Sequence, residues 1–213
     1  MKIKIHKELN LKCKKSWLSI EKDSIMTPFQ SYNWLYQWYN SVGNPLFKVN
    51  LQIIELYQKS SILAILPLGI TKKNGIKILE WLGGMNTDYM GPLINISEYK
   101  NIKENNIWDV INSKLNHFDV LFFQKQDKST ISFLKKIGLD IEAKSYISSY
   151  KTSLPKEWEV FYNKKSSKTR QTDRRKYRNL KKKGNVKFIL ADNSKDKISI
   201  ISKMIYQKEN QYK

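Results

Sequence analysis

VNLQIIELYQKSSILAILPLGITKKNGIKILEWLGG, residues 49–84, is the stretch whose reading decides the fold. Val49 to Leu56 and Ser60 to Thr71 are dense in Ile and Leu and read as two strands joined at Tyr57-Gln58-Lys59. The second is apolar on both faces, as a central strand is. It nevertheless carries Pro67, which has no N–H for a ladder and so demands an edge, a bulge or a strand end. Lys73-Asn74-Gly75 is a turn, and Ile76 to Leu82 is a third strand. It stops at Gly83-Gly84 and opens into the loop Met85-Asn86-Thr87-Asp88-Tyr89-Met90-Gly91-Pro92.

Helical patterns lie on either side of these strands. Upstream, Lys2 to Leu9 alternates Ile3 and Ile5 with lysines, the pattern of a half-exposed strand, and Lys15 to Lys22 reads as a short helical stretch. Phe29, Tyr32, Leu35, Trp38 or Tyr39, and Val42 then recur at helical spacing. Either Thr27, with Pro28 next and Gln30 three on, or Ser31 caps this helix, and Gly43 closes it. Downstream come Leu93 to Ile96, a helix over Asn105 to Asn116, and a short buried strand over Phe118 to Gln124. A helix over Ser129 to Lys136 is stopped by Gly138, and a last strand spans Tyr146 to Leu154. Strands in hairpins with helices between them make an α/β (α+β) domain with a mixed sheet flanked by helices.

The character changes after Pro155. Trp158, Phe161 and Tyr162 make one helical turn, and Ser166 or Ser167 caps a second helix that runs to about Lys183 and ends at Gly184. Val186 to Ala191 reads as a strand, and Ile198 to Tyr206 opens an amphipathic helix. The expected division is therefore 1–154 for the first domain, 155–184 for a basic helical segment, and 185–213 for the start of a second, incomplete unit.

Six Trp, twelve Tyr and a hydrophobic fraction of 40% place the chain among folded proteins. One cysteine, Cys13, excludes an internal disulfide and a cysteine-based zinc site. His6 and His117 have no second ligand at metal spacing, so no metal is expected. The longest apolar run, Ile62 to Ile70, is too short to span a bilayer, and no basic-then-apolar signal opens the chain, which leaves the cytoplasm as the expected compartment. The net charge is +20, but most of the lysines are scattered and solvate the surface. One segment departs from that scatter. Between Lys151 and Lys187 there are 14 basic residues against Glu157, Glu159 and Asp173, and all four arginines fall there.

Four motifs stand out in order along the chain. The first is Thr27-Pro28-Phe29-Gln30-Ser31 with Trp34-Leu35 and Trp38, and the second is Ile65-Leu66-Pro67-Leu68. The third is Leu82-Gly83-Gly84 leading to Asp88-Tyr89 and Pro92-Leu93, and the fourth is the basic helix with Arg170, Arg174-Arg175 and Leu180. Their order and spacing resemble the CelD/BcsL family of GNAT-type acetyltransferases, which are similar in build to the Fem-type aminoacyl transferases. The resemblance implies a GNAT-like sheet followed by the start of a second GNAT-like unit. It also implies acetyl-CoA as co-substrate, direct attack of the acceptor on the thioester, and an acceptor linked to saccharide, envelope or exopolysaccharide metabolism. In such enzymes the cofactor pyrophosphate rests on backbone N–H groups of a Gly-rich turn at a helix N-terminus. No Gly-x-Gly occurs among the eight glycines here, and Gly83-Gly84 is not followed by a helical pattern and a basic residue. No residue of this chain is therefore expected to bind the cofactor. That is assigned to a missing C-terminal region, which makes the chain the inactive front portion of an enzyme.

Two groups are candidates for substrate binding. Asp88 and Tyr89 sit in a loop after a strand, where they either orient an acceptor amine or hydroxyl or, alternatively, make an Asx turn and pack. Arg170, Arg174 and Arg178 lie at i, i+4 and i+8 with Arg175 beside them, either as guanidinium forks for a phosphate or carboxylate or as a solvated helix face. Trp34, Trp38 and Tyr39 are at core spacing, although they could stack a sugar ring. Cys13 lacks a neighbouring His and is not read as a nucleophile. A competing reading makes the protein nucleic-acid-binding through helix 164–183, against which stand the absence of a helix-turn-helix, RNP or zinc pattern and aromatics that do not interleave with the basic run.

Overall fold

A computed structural model describes residues 1–100, 102, 106–139, 141–142, 144, 148 and 152–212. The chain divides into two compact units, residues 1–146 and 147–213.

In the first unit Pro67 lies in the middle of a 13-residue strand. The elements are β1 (Lys2–His6), α1 (Leu11–Glu21), β2 (Ser24–Ile25), α2 (Tyr32–Trp38), α3 (Asn44–Phe47), β3 (Asn50–Gln58), β4 (Ser61–Lys73) and β5 (Ile76–Trp81). They continue with β6 (Leu93–Asn95), α4 (Ile96–Tyr99), α5 (Ile107–Asn112), β7 (Val120–Leu121) and α6 (Lys128–Lys136). The sheet runs β1-β3-β4-β5-β7, with β6 between β4 and β2. Its pairs are antiparallel except β5 with β7, which is parallel, so the fold is a mixed α/β sheet.

Pro67 is tolerated at the centre because β4 changes neighbours there. On one edge β4 pairs with β3 throughout, while on the other Ala64-Ile65 face β6 and Leu68 to Lys73 face β5. Pro67 falls in the gap, where its carbonyl accepts from Leu82 N–H at 2.9 Å and its missing N–H leaves no ladder partner behind. A bulge across from Leu56/Tyr57 adds twist. The 73–76 turn has Asn74 at φ 50° and Gly75 at φ 87°, the left-handed pair that a tight hairpin needs.

Both faces of the sheet are covered. Leu51, Ile53, Ile65 and Leu93 pack with Cys13, Trp17 and Ile20 of α1 and Tyr32, Leu35 and Trp38 of α2. Ile54, Leu56, Leu66, Leu68, Leu79 and Trp81 pack on the other side with Trp108 and Ile111 of α5 and Phe133 and Leu134 of α6. Alternate residues of one strand thus enter different cores, which is why β3 and β4 are apolar in unbroken runs. At about 1.5–3 kcal/mol for each fully buried large side chain, these two layers stabilise the unit.

Three sequence expectations change here. Both N-caps proposed for the second helix are used in series. Thr27 opens a single 3-10 turn, Pro28–Gln30, and Ser31 then caps α2 by accepting from Trp34 N–H. Gly43 does not close the helix, since the chain passes through a π turn (Tyr39–Gly43) into α3 and stops at Lys48, φ 50°. Glycine is needed at position 43 because a Cβ there would lie 2.7 Å from the Trp38 ring. Residues 118–124 are not a buried strand, because β7 is two residues long at the sheet edge and both Val120 and Phe122 are exposed. The strand expected over Tyr146 to Leu154 falls largely outside the described residues.

The second unit contains α7 (Trp158–Asn163), α8 (Ser167–Lys183, capped by Ser166) and α9 (Ser194–Gln211). Residues 186–191 form no strand, and Phe188, Ile189 and Leu190 are exposed. A strand exists only through a ladder partner, and the described residues of this unit include no other strand. None of its described residues is buried.

Candidate functional site

Sheets that carry parallel strands bind ligands outside the carboxyl ends of those strands. Here the parallel pair is β5 and β7, with Ile78 beside Val120 and Leu79 beside Leu121. Two loops leave their carboxyl ends, residues 82–92 and 122–127. Trp81 and Phe123, at the roots of the two loops, stack with centroids 4.4 Å apart.

Lys125 joins the loops. Its ammonium donates to Thr87 O at 2.7 Å and Met85 O at 3.2 Å and lies 3.3 Å from Asp88 Oδ1, while its own carbonyl accepts from Met90 N–H at 2.9 Å. Tyr89 (φ 52°) and Lys125 (φ 52°) both adopt the left-handed conformation, which costs a side-chain-bearing residue roughly 1–2 kcal/mol and persists where the surroundings impose it. For Tyr89 the restraint is the carboxamide of Gln30, which donates to the Tyr89 carbonyl. Gln30 is buried, and its oxygen accepts from Thr27 N–H at 2.6 Å and from the Thr27 hydroxyl at 2.7 Å, which closes the capping box.

Three motifs that are far apart in the chain therefore meet. Gln30 reaches Tyr89, Trp34 Nε1 donates to Thr87 Oγ1 at 2.9 Å, and the Trp38 ring packs on Gly84. Pro67, from the second motif, accepts from Leu82 at the start of the same loop. Of the expected site residues in this unit, Asp88 and Tyr89 stand exposed, directly after Thr87, to which the exposed Trp34 bonds. Gln30, Thr87 and Lys125 belong to the same network and were not singled out from the sequence. Gln30 was visible there as part of a helix cap and of the first motif, without a role in the site.

The glycines of this loop do not fit a cofactor cradle. A Cβ on Gly83 (φ 115°) would lie 2.2 Å from Thr87 Oγ1, and one on Gly84 would meet the Trp38 ring at 3.3 Å. The space beside both backbones is filled by side chains of the protein, and one 3-10 turn, Gly84–Asn86, follows instead of an α-helix.

The arginines separate into two kinds. Arg170 is tied into the corner between α7 and α8: its Nη1 donates to Asn163 O at 3.3 Å and Asn163 Oδ1 at 3.1 Å, and Tyr162 OH donates to the Arg170 carbonyl at 3.3 Å. Arg174, Arg175 and Arg178 are exposed, and none of them enters an ion pair among the described residues. The even i, i+4, i+8 spacing conceals this difference.

A third polar cluster lies under α1. Glu55, 1% exposed, accepts from Tyr57 OH at 2.7 Å and Lys4 Nζ at 3.0 Å and lies 2.6 Å from His6 Nε2, off the line of a hydrogen bond. Burial pushes this carboxyl up, but the bonds from Tyr57, Lys4 and Ser16 and the charge of His6 outweigh it and hold the pKa below its ordinary value. Burial first, and then the Glu55 charge, push the Cys13 thiol up to about 12. That is the opposite of an activated nucleophile. His117 lies 3.2 Å from Asp119, and among the described residues no group of three or more His, Cys, Asp or Glu is placed to hold a metal ion. No described helix is long and apolar enough to cross a membrane.

No protein-family model matches the chain, and no curated protein matches it. Among solved structures it is similar to the apo crystal structure of an aminoglycoside antibiotic 6'-N-acetyltransferase from Acinetobacter haemolyticus. The two share 13% identity with a TM-score of 0.40, over 72% of this chain and 100% of that one.

Proposed function

We propose that these residues form the acceptor-holding part of an acetyl-CoA-dependent GNAT-type acetyltransferase of the CelD/BcsL kind, acting on a saccharide- or envelope-related acceptor, with acetyl-CoA held by polypeptide other than these 213 residues. One observation carries the reading: three of the four family-like motifs converge, through Gln30, Trp34, Trp38 and Pro67, on the loop at the carboxyl end of β5. Such a convergence builds a site and not merely a core, because it holds strained backbone and exposed polar groups in place. In this reading the Asp88 carboxylate accepts a hydrogen bond from an acceptor hydroxyl or amine, Tyr89 OH is a second partner, and the Trp34 ring offers an apolar face to a sugar. Lys125 sets the height of Asp88 above the sheet. Arg174, Arg175 and Arg178 are the second substrate-binding group, for a phosphate or carboxylate.

The test is acetyl transfer to saccharide acceptors by the 213-residue chain and by any longer product of the same reading frame. Asp88→Ala and Lys125→Met lower kcat/KM for the acceptor by roughly a hundredfold while KM for acetyl-CoA stays put. Unchanged turnover in both variants removes the acceptor site. Saturable uptake of acetyl-CoA by the 213-residue chain in calorimetry removes the assignment of the cofactor to other polypeptide.

A second reading has its own support. α8 presents Arg174, Arg175, Arg178 and Lys181 to Lys183 on an exposed helix, the electrostatic footprint of a nucleic-acid-binding element. A gel shift that persists at physiological salt and is lost on neutralising those six residues would favour it over acetyl transfer.

A further inference from the structure

The first unit carries a surface that the acceptor site does not use. α3 ends because Lys48 turns left-handed, and this leaves Leu46 69% exposed and Phe47 52% exposed. Beside them is the tip of the β4–β5 hairpin, where Ile76, 47% exposed, stands across from Lys73. Leu46 and Phe47 border an open groove of about 520 Å³ that Lys48, Lys72, Lys73 and the Asn74-Gly75 turn just before Ile76 also line, with no carboxylate among the lining residues.

Lys72 is paired directly across the ladder from Lys77, and like charges placed opposite one another destabilise a hairpin unless an anion sits near them. Asp119 is such an anion on the Lys77 side: it accepts from Lys77 N–H at 2.8 Å, and that bond first, with the Lys77 charge among the lesser causes, holds its carboxyl below the usual range. The groove side has no carboxylate in its lining to offset Lys48, Lys72 and Lys73.

We propose that this end of the first unit docks on an anionic lipid bilayer, with Leu46, Phe47 and Ile76 entering the headgroup–acyl boundary while Lys48, Lys72 and Lys73 meet lipid phosphates. Apolar tips on two adjacent turns, ringed by lysines, match the two forces that hold a protein at such an interface: burial of apolar area and attraction to negative charge. A free phosphate would use the lysines and leave the three apolar tips unexplained. The surface stands independently of the acetyl-transfer reading.

The test uses the whole chain and vesicles of phosphatidylcholine, with or without about 30% phosphatidylglycerol, at about 0.1 M salt. The protein sediments with the anionic vesicles and not with the neutral ones. Leu46→Ser with Phe47→Ser weakens partitioning by roughly tenfold or more, with an unchanged melting curve because both side chains are exposed. Lys72→Gln and Lys73→Gln each weaken it by about fivefold. Because α8 is also basic, an environment-sensitive fluorophore is placed at Leu46→Cys in one protein and at Leu180→Cys in another, with Cys13 too buried to label. A blue shift at position 46 on adding anionic vesicles supports the proposal. A shift at position 180 alone, undiminished binding of the double serine variant, or self-association without lipid that the serine changes abolish overturns it, the last in favour of a second copy of the chain.

Discussion

Burial pushes up the pKa of both Glu55 and the α1 residue Cys13, yet only Cys13 ends above its ordinary value. Against that burial Glu55 has the bonds from Tyr57 and Lys4 and the charge of His6, which keep it ionised, whereas at Cys13 the charge of Lys4 does not offset burial and the thiol keeps its proton. Replacing Glu55 by Gln strands the Lys4 and His6 partners, and the expected cost is about 3 kcal/mol at pH 7, read from urea unfolding. Because the folded-state pKa of Glu55 is depressed, its contribution is complete above the unfolded value of about 4.3 and disappears as pH falls through the folded value. The gap between wild type and Glu55→Gln should therefore narrow below about pH 4; a gap independent of pH would show that the carboxylate charge is not what matters. Cys13, with its thiol pushed up to about 12, is expected to ignore Ellman's reagent at pH 8 in the native protein and to react once the chain is unfolded. Rapid native labelling would contradict the buried placement. Cys13 was dismissed as a nucleophile from the sequence for want of a nearby His; the structure supplies the positive reason, which is burial of the thiol, reinforced by the charge of Glu55 from a strand 42 residues away.

At the scale of elements, the loop at the carboxyl end of β5 is held by contacts that single motifs do not reveal. Gly83 combines a left-handed φ of 115° with a Thr87 side chain filling the place of its Cβ. Gly83→Ala is expected to cost about 3 kcal/mol, from backbone strain together with the clash, and to lower the melting temperature. Adding Thr87→Gly should recover the part due to the clash and leave the strain; recovery of the whole loss would mean that φ costs nothing there. In α8 the expectation divides along the same line as the arginines. Arg170→Ala loosens the α7–α8 corner, while Arg174→Ala and Arg178→Ala change stability by less than about 0.5 kcal/mol, since both are exposed and their side chains enter no ion pair among the described residues. Equal losses at the three positions, compared by thermal melts, would mean that the helix acts as one uniform face.

For the whole molecule, every buried side chain among the described residues belongs to the first unit. Residues 1–154, expressed alone, are therefore expected to melt in one cooperative transition, and residues 155–213 alone to show helix that fades gradually with temperature. A cooperative melt of 155–213 would require a core that its exposed Ile198, Ile201 and Ile205 do not make. The division of the chain near residue 150 is thus a statement about where apolar area is removed from water, and differential scanning calorimetry of the two pieces measures it.

Local chemistry was legible in the residues themselves. The three strands of 49–84, the capped helix after Thr27, the Asn74-Gly75 turn and the basic helix from Ser167 to Lys183 follow from periodicity and turn propensity, which act over a few neighbours. What depended on distant partners was not legible. Pro67 called for an edge, a bulge or a strand end, and it lies mid-strand at a gap in one edge, because two different strands share that edge of β4. Gly43 looked like a helix stop and is a seat for the Trp38 ring, and residues 186–191 looked like a strand but have no ladder to join. Gln30, Thr87 and Lys125 are ordinary polar residues in the chain, and only folding places them around one loop. Propensity is set by a residue's own stereochemistry, whereas a site is set by which groups meet across the sheet, and that meeting belongs to tertiary structure.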